Sequence, residues 1–262
     1  MNKNEKGFRY KIDQWFKHIW GYMKPMEERC LYCKQSSCLQ PQKWGLCDPC
    51  YQKIPWIQKT LCSICGRSIA CYDCKRRAST FFTMNRSAVQ YNDDMKKMLI
   101  QYKYRGDERL QVILGNMVKQ AFQLLIIENP KLTLAQLPIL TYVPISDMRY
   151  EERGFNQAKQ LAQVVSSLTG IPVIPLLKRS RHTDKQSQSS RVKREENLKN
   201  IFEVNREIIS EYLYQMGKRK EDIDVIFIVD DVYTTGSTLN ECAKTLKNYA
   251  EVKIYGISWA RS

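Results

Sequence analysis

The sequence predicts an open α/β sheet with flanking helices, preceded by a small cysteine-rich metal module. Three observations carry this expectation. From about residue 139 onward, short apolar runs of strand length alternate with helical patterns. One run, 225–229, is apolar throughout, as a strand buried on both faces of a parallel sheet must be. Four C-x2-C pairs fall between Cys30 and Cys74, in a stretch with few aliphatic residues from which to build a core. The expected organisation is an amphipathic N-terminal segment over 1–25, the cysteine module over 26–80 and the α/β domain over 81–262.

In the N-terminal segment Ile12, Trp15, Phe16, Ile19, Trp20 and Met23 form one apolar stripe at helical spacing, flanked by Lys11 and Lys17. Such a helix packs on the body of the protein, docks on a partner or lies peripherally on a membrane. Translation starting at Met23 or Met26 is a further reading. No apolar h-region is present, so no secretory leader is expected, and no run of 18 apolar residues suggests a membrane span. The ten cysteines are therefore expected in a reducing cytoplasm, where close pairs bind metal.

Cys30-x2-Cys33 and Cys47-x2-Cys50 are thirteen residues apart, and Cys62-x2-Cys65 and Cys71-x2-Cys74 are five apart. Four thiolates satisfy tetrahedral Zn2+, and each C-x2-C knuckle supplies two from one turn. The expectation is one or two structural zinc ions, with crossed pairing between knuckles left open. Metal ligation, worth on the order of 10–16 kcal/mol in small zinc peptides, would stabilise a module with so little core. Cys242 reads as a small buried residue in the last helix, and Cys38 has no evident partner.

Met95, Met98, Leu99 and Tyr102 mark a basic helix that leads into Lys103-Tyr104-Arg105-Gly106-Asp107, with Gly106 as its stop. A second helix spans about 108–128 and ends at Asn129-Pro130. Strands are expected at 139–143, 171–174, 201–204, 225–229 and 252–259, and helices at 156–168 and 237–248. The stretch 206–221 is a lysine-rich helix or insertion. Residues 178–197 hold one aliphatic residue, Val192, and read as a mobile loop.

The chemistry centres on 229–238, Val-Asp-Asp-Val-Tyr-Thr-Thr-Gly-Ser-Thr. In an open α/β sheet, ligands sit beyond the carboxyl ends of the strands. A turn through Thr234, Thr235, Gly236, Ser237 and Thr238 can aim several backbone N–H groups at one anion, helped by the positive end of the following helix. The paired carboxylates of Asp230 and Asp231 suit a vicinal diol. Phosphate on one side and a diol on the other describe ribose 5-phosphate.

This run resembles the 5-phosphoribosyl-1-pyrophosphate (PRPP) signature of type I phosphoribosyltransferases. The resemblance implies that Asp230 and Asp231 hold the ribose hydroxyls, directly or through Mg2+, and that the backbone of 234–238 holds the 5-phosphate. Tyr142-Val143-Pro144-Ile145 followed by Arg153-Gly154-Phe155-Asn156-Gln157-Ala158 sits where these enzymes place a pyrophosphate loop, which puts Arg153 toward the leaving group. The Arg-Gly-Phe-Asn-Gln run, Lys103-Tyr104-Arg105-Gly106, the Arg191, Arg194 and Asn197 spacing and the cysteine-rich head together resemble the ComF competence family, over about 27–262.

Net charge is +15, which points toward polyanionic partners. Residues 178–194 hold seven Lys or Arg against Asp184. By the phosphoribosyltransferase resemblance this stretch is a hood that closes over PRPP, while its charge also suits a nucleic-acid backbone. Trp44, Tyr51, Trp56, Phe81, Phe82, Tyr102 and Tyr104 are aromatic residues that could stack on single-stranded bases. The ComF resemblance implies a protein that binds PRPP or a related sugar phosphate and assists single-stranded DNA in natural transformation. Its partners would be DNA-uptake and recombination proteins. The alternative is a salvage phosphoribosyltransferase, with Tyr255 and Trp259 as base-recognising candidates. A third reading is a PRPP-sensing regulator that binds nucleic acid.

Overall fold

The computed structural model describes residues 28–75, 77, 79–104, 107, 109–132, 134, 137–180 and 200–262. The N-terminal stripe, Arg105 and Gly106, and the basic stretch from 181 with Arg191, Arg194 and Asn197 lie outside the described residues. The chain divides into two compact units, which meet in sequence at Gln52 and Lys53.

Among the described residues of the first unit, the Cys30 knuckle is closed by backbone bonds from Cys30 to Gln35 (3.0 Å) and from Lys34 to Cys30 (2.9 Å). The helix α1 (Asp48–Gln52) carries Cys50 and begins one residue after Cys47. Cys30, Leu46 and Cys47 are buried, and Trp44 meets Tyr51 edge-on at 6.0 Å. This core is small.

The second unit begins with the remaining cysteines and α2 (Tyr72–Lys75) and continues into β1 (Met84–Gln90). Then come α3 (Asp93–Tyr104), α4 (Arg109–Glu128), β2 (Pro138–Tyr142), α5 (Asp147–Arg153) and α6 (Gln157–Thr169). The hairpin strands β3 (Leu177–Arg179) and β4 (Phe202–Val204), α7 (Arg206–Gln215), β5 (Val225–Tyr233), α8 (Ser237–Lys247) and β6 (Lys253–Arg261) complete it. Four strands form one sheet in the order β1-β6-β5-β2, with every pairing parallel. The expected open α/β sheet is present.

The apolar run 225–229 lies in β5, bonded on both sides, and its side chains alternate between two cores. Phe227 meets Phe122 of α4 at 5.1 Å, whereas Ile226 and Ile228 join Leu239, Cys242, Ala243 and Leu246 of α8. Cys242 is buried, as read from sequence. Helix α4 packs on α6, β1 and β6. The two helices approach closely because Gly115 has no Cβ, which would otherwise lie 2.5 Å from Val164 Cβ. Among the described residues α4 is long and apolar enough to cross a membrane, but half of that stretch is buried inside the unit.

Strand β3 takes up Lys178 and Arg179 from the start of the stretch read as a mobile loop. Helices α1 and α2 are short and have no expectation in the sequence, and two longer elements, β1 and α5, have none either. Strand β1 carries Asn85, Arg86 and Ser87 at buried positions, so its pattern reads as polar. Ser258 bonds Ser87 (2.6 Å) and Asn85 (3.2 Å), and Glu128 pairs with Arg86 (2.5 Å). Buried polar groups are tolerable when partnered in this way. Helix α5 buries no residue and so shows no apolar periodicity. One expected strand is reduced: 171–174 forms only an isolated parallel bridge, Leu140 to Val173. Pro172 and Pro175 lack the N–H groups a continuous ladder needs.

Candidate phosphosugar site and cysteine clusters

Strand β5 continues four residues past its apolar run and carries Asp230 and Asp231, both half-buried, to the carboxyl edge of the sheet. The Asp231 N–H donates to Asp230 Oδ1 at 2.8 Å, and Lys103, in the last turn of α3, forms an ion pair with Asp231. Lys103 is held there because Met95, Met98, Leu99 and Tyr102 fix the rest of α3 in the core. The two carboxyls are driven apart. Burial, then the charge of Asp231, pushes Asp230 up to about 8. Burial also acts upward on Asp231, but the charge and hydrogen bond of Lys103 and the charge of Arg153 hold it below the usual range. Asp230 therefore takes up a proton more readily than Asp231, which is held as an acceptor for neighbouring hydroxyls.

The turn after β5 is fixed from within and from behind. Gly236 adopts φ 79° as the N-cap of α8, and Asn240 N–H donates to its carbonyl at 2.9 Å. The first N–H groups of any helix lack intrahelical acceptors. The hydroxyls of Thr235 and Ser237 are 2.8 Å apart. Behind the turn, Arg261 Nη1 donates to the carbonyls of Tyr233 (3.2 Å) and Thr234 (2.7 Å), and Arg77 Nη2 donates to the carbonyl of Thr235. Thr234 is exposed and Thr238 half-buried.

The Arg-Gly-Phe-Asn-Gln run now has a local account. Arg153 ends α5, and Gly154 at φ 78° caps it. Phe155 packs on Tyr102 at 5.3 Å, and Asn156 caps α6 by accepting from Lys159 N–H at 3.1 Å. Gln157 accepts from Arg153 Nη1 at 2.7 Å. Arg153 also donates to the Tyr104 hydroxyl (3.1 Å), and its buried Nε has no acceptor among the described residues. Its charge acts on Asp231, as that of Arg149 acts on Asp230. Tyr91 also faces this group: burial, then the charge of Asp231, raises its pKa.

The structure thus gathers Asp230, Asp231, Arg153 and the 234–238 turn around one edge of the sheet. Lys103 was legible only as part of the Lys103-Tyr104-Arg105-Gly106 run. Arg77, Arg261, Arg149 and Tyr91 had no sequence signal, since nothing local ties the penultimate residue of the chain to a turn at 234. Other aromatic expectations change. Trp259 is fully buried, with its indole N–H 3.1 Å from Met117 Sδ, and Tyr255 packs on Phe227 at 5.9 Å. Both are core residues, not a base pocket. Tyr102 and Phe82 are likewise buried and cannot stack on a strand, whereas Tyr104 is exposed.

The cysteines assemble in consecutive pairs. Cys30, Cys33, Cys47 and Cys50 form one group and Cys62, Cys65, Cys71 and Cys74 another, each with all sulfurs within 4.8 Å of one another. Cys33 and Cys47 Sγ are 3.8 Å apart, and Cys65 and Cys71 Sγ are 3.5 Å apart. Zn–S bonds of about 2.3 Å in a tetrahedron require sulfurs roughly 3.8 Å apart, so both groups fit the ion. Burial works against charge on Cys30 and Cys71. Donated backbone hydrogen bonds nevertheless draw each down to about 7, whereas burial pushes Cys47, Cys50, Cys65 and Cys74 up. Cys38 is exposed and belongs to neither group.

No protein-family model matches the chain. It is 30% identical over 210 residues to competence protein ComFC of Bacillus subtilis, covering 77% of each chain. It is 29% identical over 244 residues to competence protein F of Haemophilus influenzae, covering 88% of this chain and 97% of that one. Among solved structures, an allosteric regulatory enzyme of purine biosynthesis aligns with 67% of this chain at TM-score 0.35 and 16% identity, and the match spans 31% of that enzyme's length. An adenine phosphoribosyltransferase from Leishmania tarentolae aligns with 53% of this chain and 54% of its own at TM-score 0.28 and 14% identity. With the parallel sheet, the cysteine-rich head and a relative matched over three quarters of both chains, this protein belongs to the ComF family of competence proteins.

Proposed function

We propose that this protein binds PRPP or a related sugar phosphate together with Mg2+, and that it assists the handling of single-stranded DNA in natural transformation. The observation that carries the ligand reading is the adjacent pair Asp230 and Asp231 at the end of β5, next to a turn whose carbonyls are held from behind. Two adjacent carboxyls at the end of one strand match the two hydroxyls of a ribose diol. The 234–238 turn and the start of α8 match a 5-phosphate. Arg153, with a buried Nε that lacks an acceptor, and Arg149 supply positive charge where a pyrophosphate would lie. Mg2+ bound with the ligand would neutralise phosphate charge, and it would be held by Asp231 and by Asp230, whose proton it would displace. The DNA role is supported by family membership and by the net charge of +15. The salvage alternative draws no support from Tyr255 or Trp259, which lie in the core.

Calorimetric titration of PRPP with Mg2+ into wild type and into Asp230→Asn plus Asp231→Asn tests the site. Loss of binding in the double variant is expected, and retained affinity would refute the ribose assignment. Pyrophosphate release across a panel of nucleobases separates binding from turnover. Binding of a labelled single strand should weaken steeply as salt rises, because phosphate neutralisation releases counterions. A flat salt response would remove nucleic acid from the proposal.

A further inference from the structure

The second cysteine group and the phosphate turn lie back to back, joined by two guanidinium groups. Arg261 is buried at the end of β6, where it pairs with Tyr233 of β5. Its Nη1 donates to the carbonyls of Tyr233 and Thr234, its Nη2 lies 3.7 Å from Cys65 Sγ, and its guanidinium stacks 4.8 Å from the centre of the Tyr233 ring. Arg77 follows Cys74 by three residues, and its backbone N–H donates to the Cys74 carbonyl at 3.4 Å. Its side chain bonds the Thr235 carbonyl and approaches the Tyr233 hydroxyl at 3.5 Å. The cysteine group is anchored in turn. Arg67 pairs with Asp73 at 3.3 Å and donates to the Ser262 carbonyl at 3.2 Å, while Ser262 N–H donates to the Tyr233 carbonyl at 3.0 Å.

The consequence follows from peptide geometry. In a trans peptide the C=O and the next N–H point in opposite directions, and no cis bond occurs among the described residues. Holding the carbonyls of Tyr233, Thr234 and Thr235 toward the cysteine side turns the N–H groups of Thr234, Thr235 and Gly236 the other way, toward the open face. Three successive donors are thereby aimed in advance, and an anion bound there need not reorganise the turn. Arg261 rests on Cys65 and Arg77 is tethered to Cys74, and the four sulfurs of this group, all within 4.8 Å of one another, need a bound cation to be held together as thiolates.

We propose that metal bound by Cys62, Cys65, Cys71 and Cys74 sets the phosphate turn through Arg77 and Arg261 as positioning residues, so that filling this cluster is required for full affinity at the sugar-phosphate site. The inference rests on the ligand reading above and goes beyond it by giving the second cluster a role in binding.

The test measures zinc content by atomic emission and affinity for ribose 5-phosphate and for PRPP by calorimetry, in full-length wild type, Arg77→Gln, Arg77→Lys and Cys62→Ser. Arg77→Gln should keep both zinc ions and stay folded at the assay temperature yet bind ribose 5-phosphate about tenfold more weakly, because a turn no longer held by that hydrogen bond must be ordered on binding. Arg77→Lys should recover part of that loss, which a merely destabilised fold would not. Cys62→Ser should lose one zinc and at least as much affinity as Arg77→Gln. If Cys62→Ser does not fold, Arg77→Gln with its zinc intact decides the matter. Wild-type affinity in Arg77→Gln overturns the coupling while leaving the site in place. Absence of binding by wild type overturns the sugar-phosphate reading itself and the coupling with it.

Discussion

Replacing Gly236 by Ala probes the turn at the point where backbone conformation and packing both forbid a side chain. Gly236 sits at φ 79°, in the left-handed region, and a Cβ there would collide with the Tyr233 hydroxyl and lie 2.7 Å from Arg77 Nη2. Left-handed backbone costs an L-residue about 1–2 kcal/mol. Displacing two packed side chains adds about 1–3 kcal/mol. Gly170, the C-cap of α6 at φ 77° with nothing within 4 Å of its would-be Cβ, isolates the first cost. Gly170→Ala should therefore destabilise by about 1–2 kcal/mol and leave ribose 5-phosphate affinity unchanged. Gly236→Ala should destabilise by roughly 2–5 kcal/mol and weaken that affinity at least tenfold, because Tyr233 and Arg77 shape the turn. Urea denaturation followed by circular dichroism, with calorimetry at matched protein concentrations, gives both quantities. Equal destabilisation of the two variants with unchanged binding by Gly236→Ala would refute the packed-turn argument.

Asp230 is an acid whose folded pKa is raised. The unfolded chain therefore holds fewer protons than the native state between its ordinary carboxyl value and about 8, so stability falls as pH rises through that window. Asp230→Asn should accordingly stabilise the free protein more at pH 8.5 than at pH 5 in urea unfolding, while abolishing PRPP binding; a pH-independent difference would refute the assignment. Lys103→Met removes the cation that keeps Asp231 ionised, so carbon-13 NMR of the carboxyls should show the Asp231 titration moving upward, and an unmoved titration would break the Lys103 account. Gly115→Ala adds a Cβ 2.5 Å from Val164 Cβ, and although Ala favours helix over Gly by about 1 kcal/mol, net destabilisation is expected because α4 and α6 cannot separate without opening the core; a net gain in denaturation midpoint would argue against that close approach.

The parallel sheet was legible where burial is complete, because a strand covered on both faces must be apolar along its length, as 225–229 is. Strand β1 was not legible: Asn85, Arg86 and Ser87 are buried with polar partners on β6 and α4, and those partners are 42 or more residues away. The cysteine spacing predicted four-thiolate groups without deciding which knuckles join; folding chose consecutive pairs. In the site, Asp230, Asp231 and the 234–238 turn are contiguous, so their chemistry could be read as a motif. Lys103 and Arg153, which hold Asp231 below the usual range while burial and the charge of Asp231 push Asp230 up, arrive from other helices. Arg77 and Arg261 bracket almost the whole second unit and meet only behind the turn. A local motif can declare which groups face a ligand, because neighbours in sequence share one turn of backbone. The protonation of those groups and the direction of their N–H bonds depend on charges and donors that only tertiary packing brings within hydrogen-bond reach.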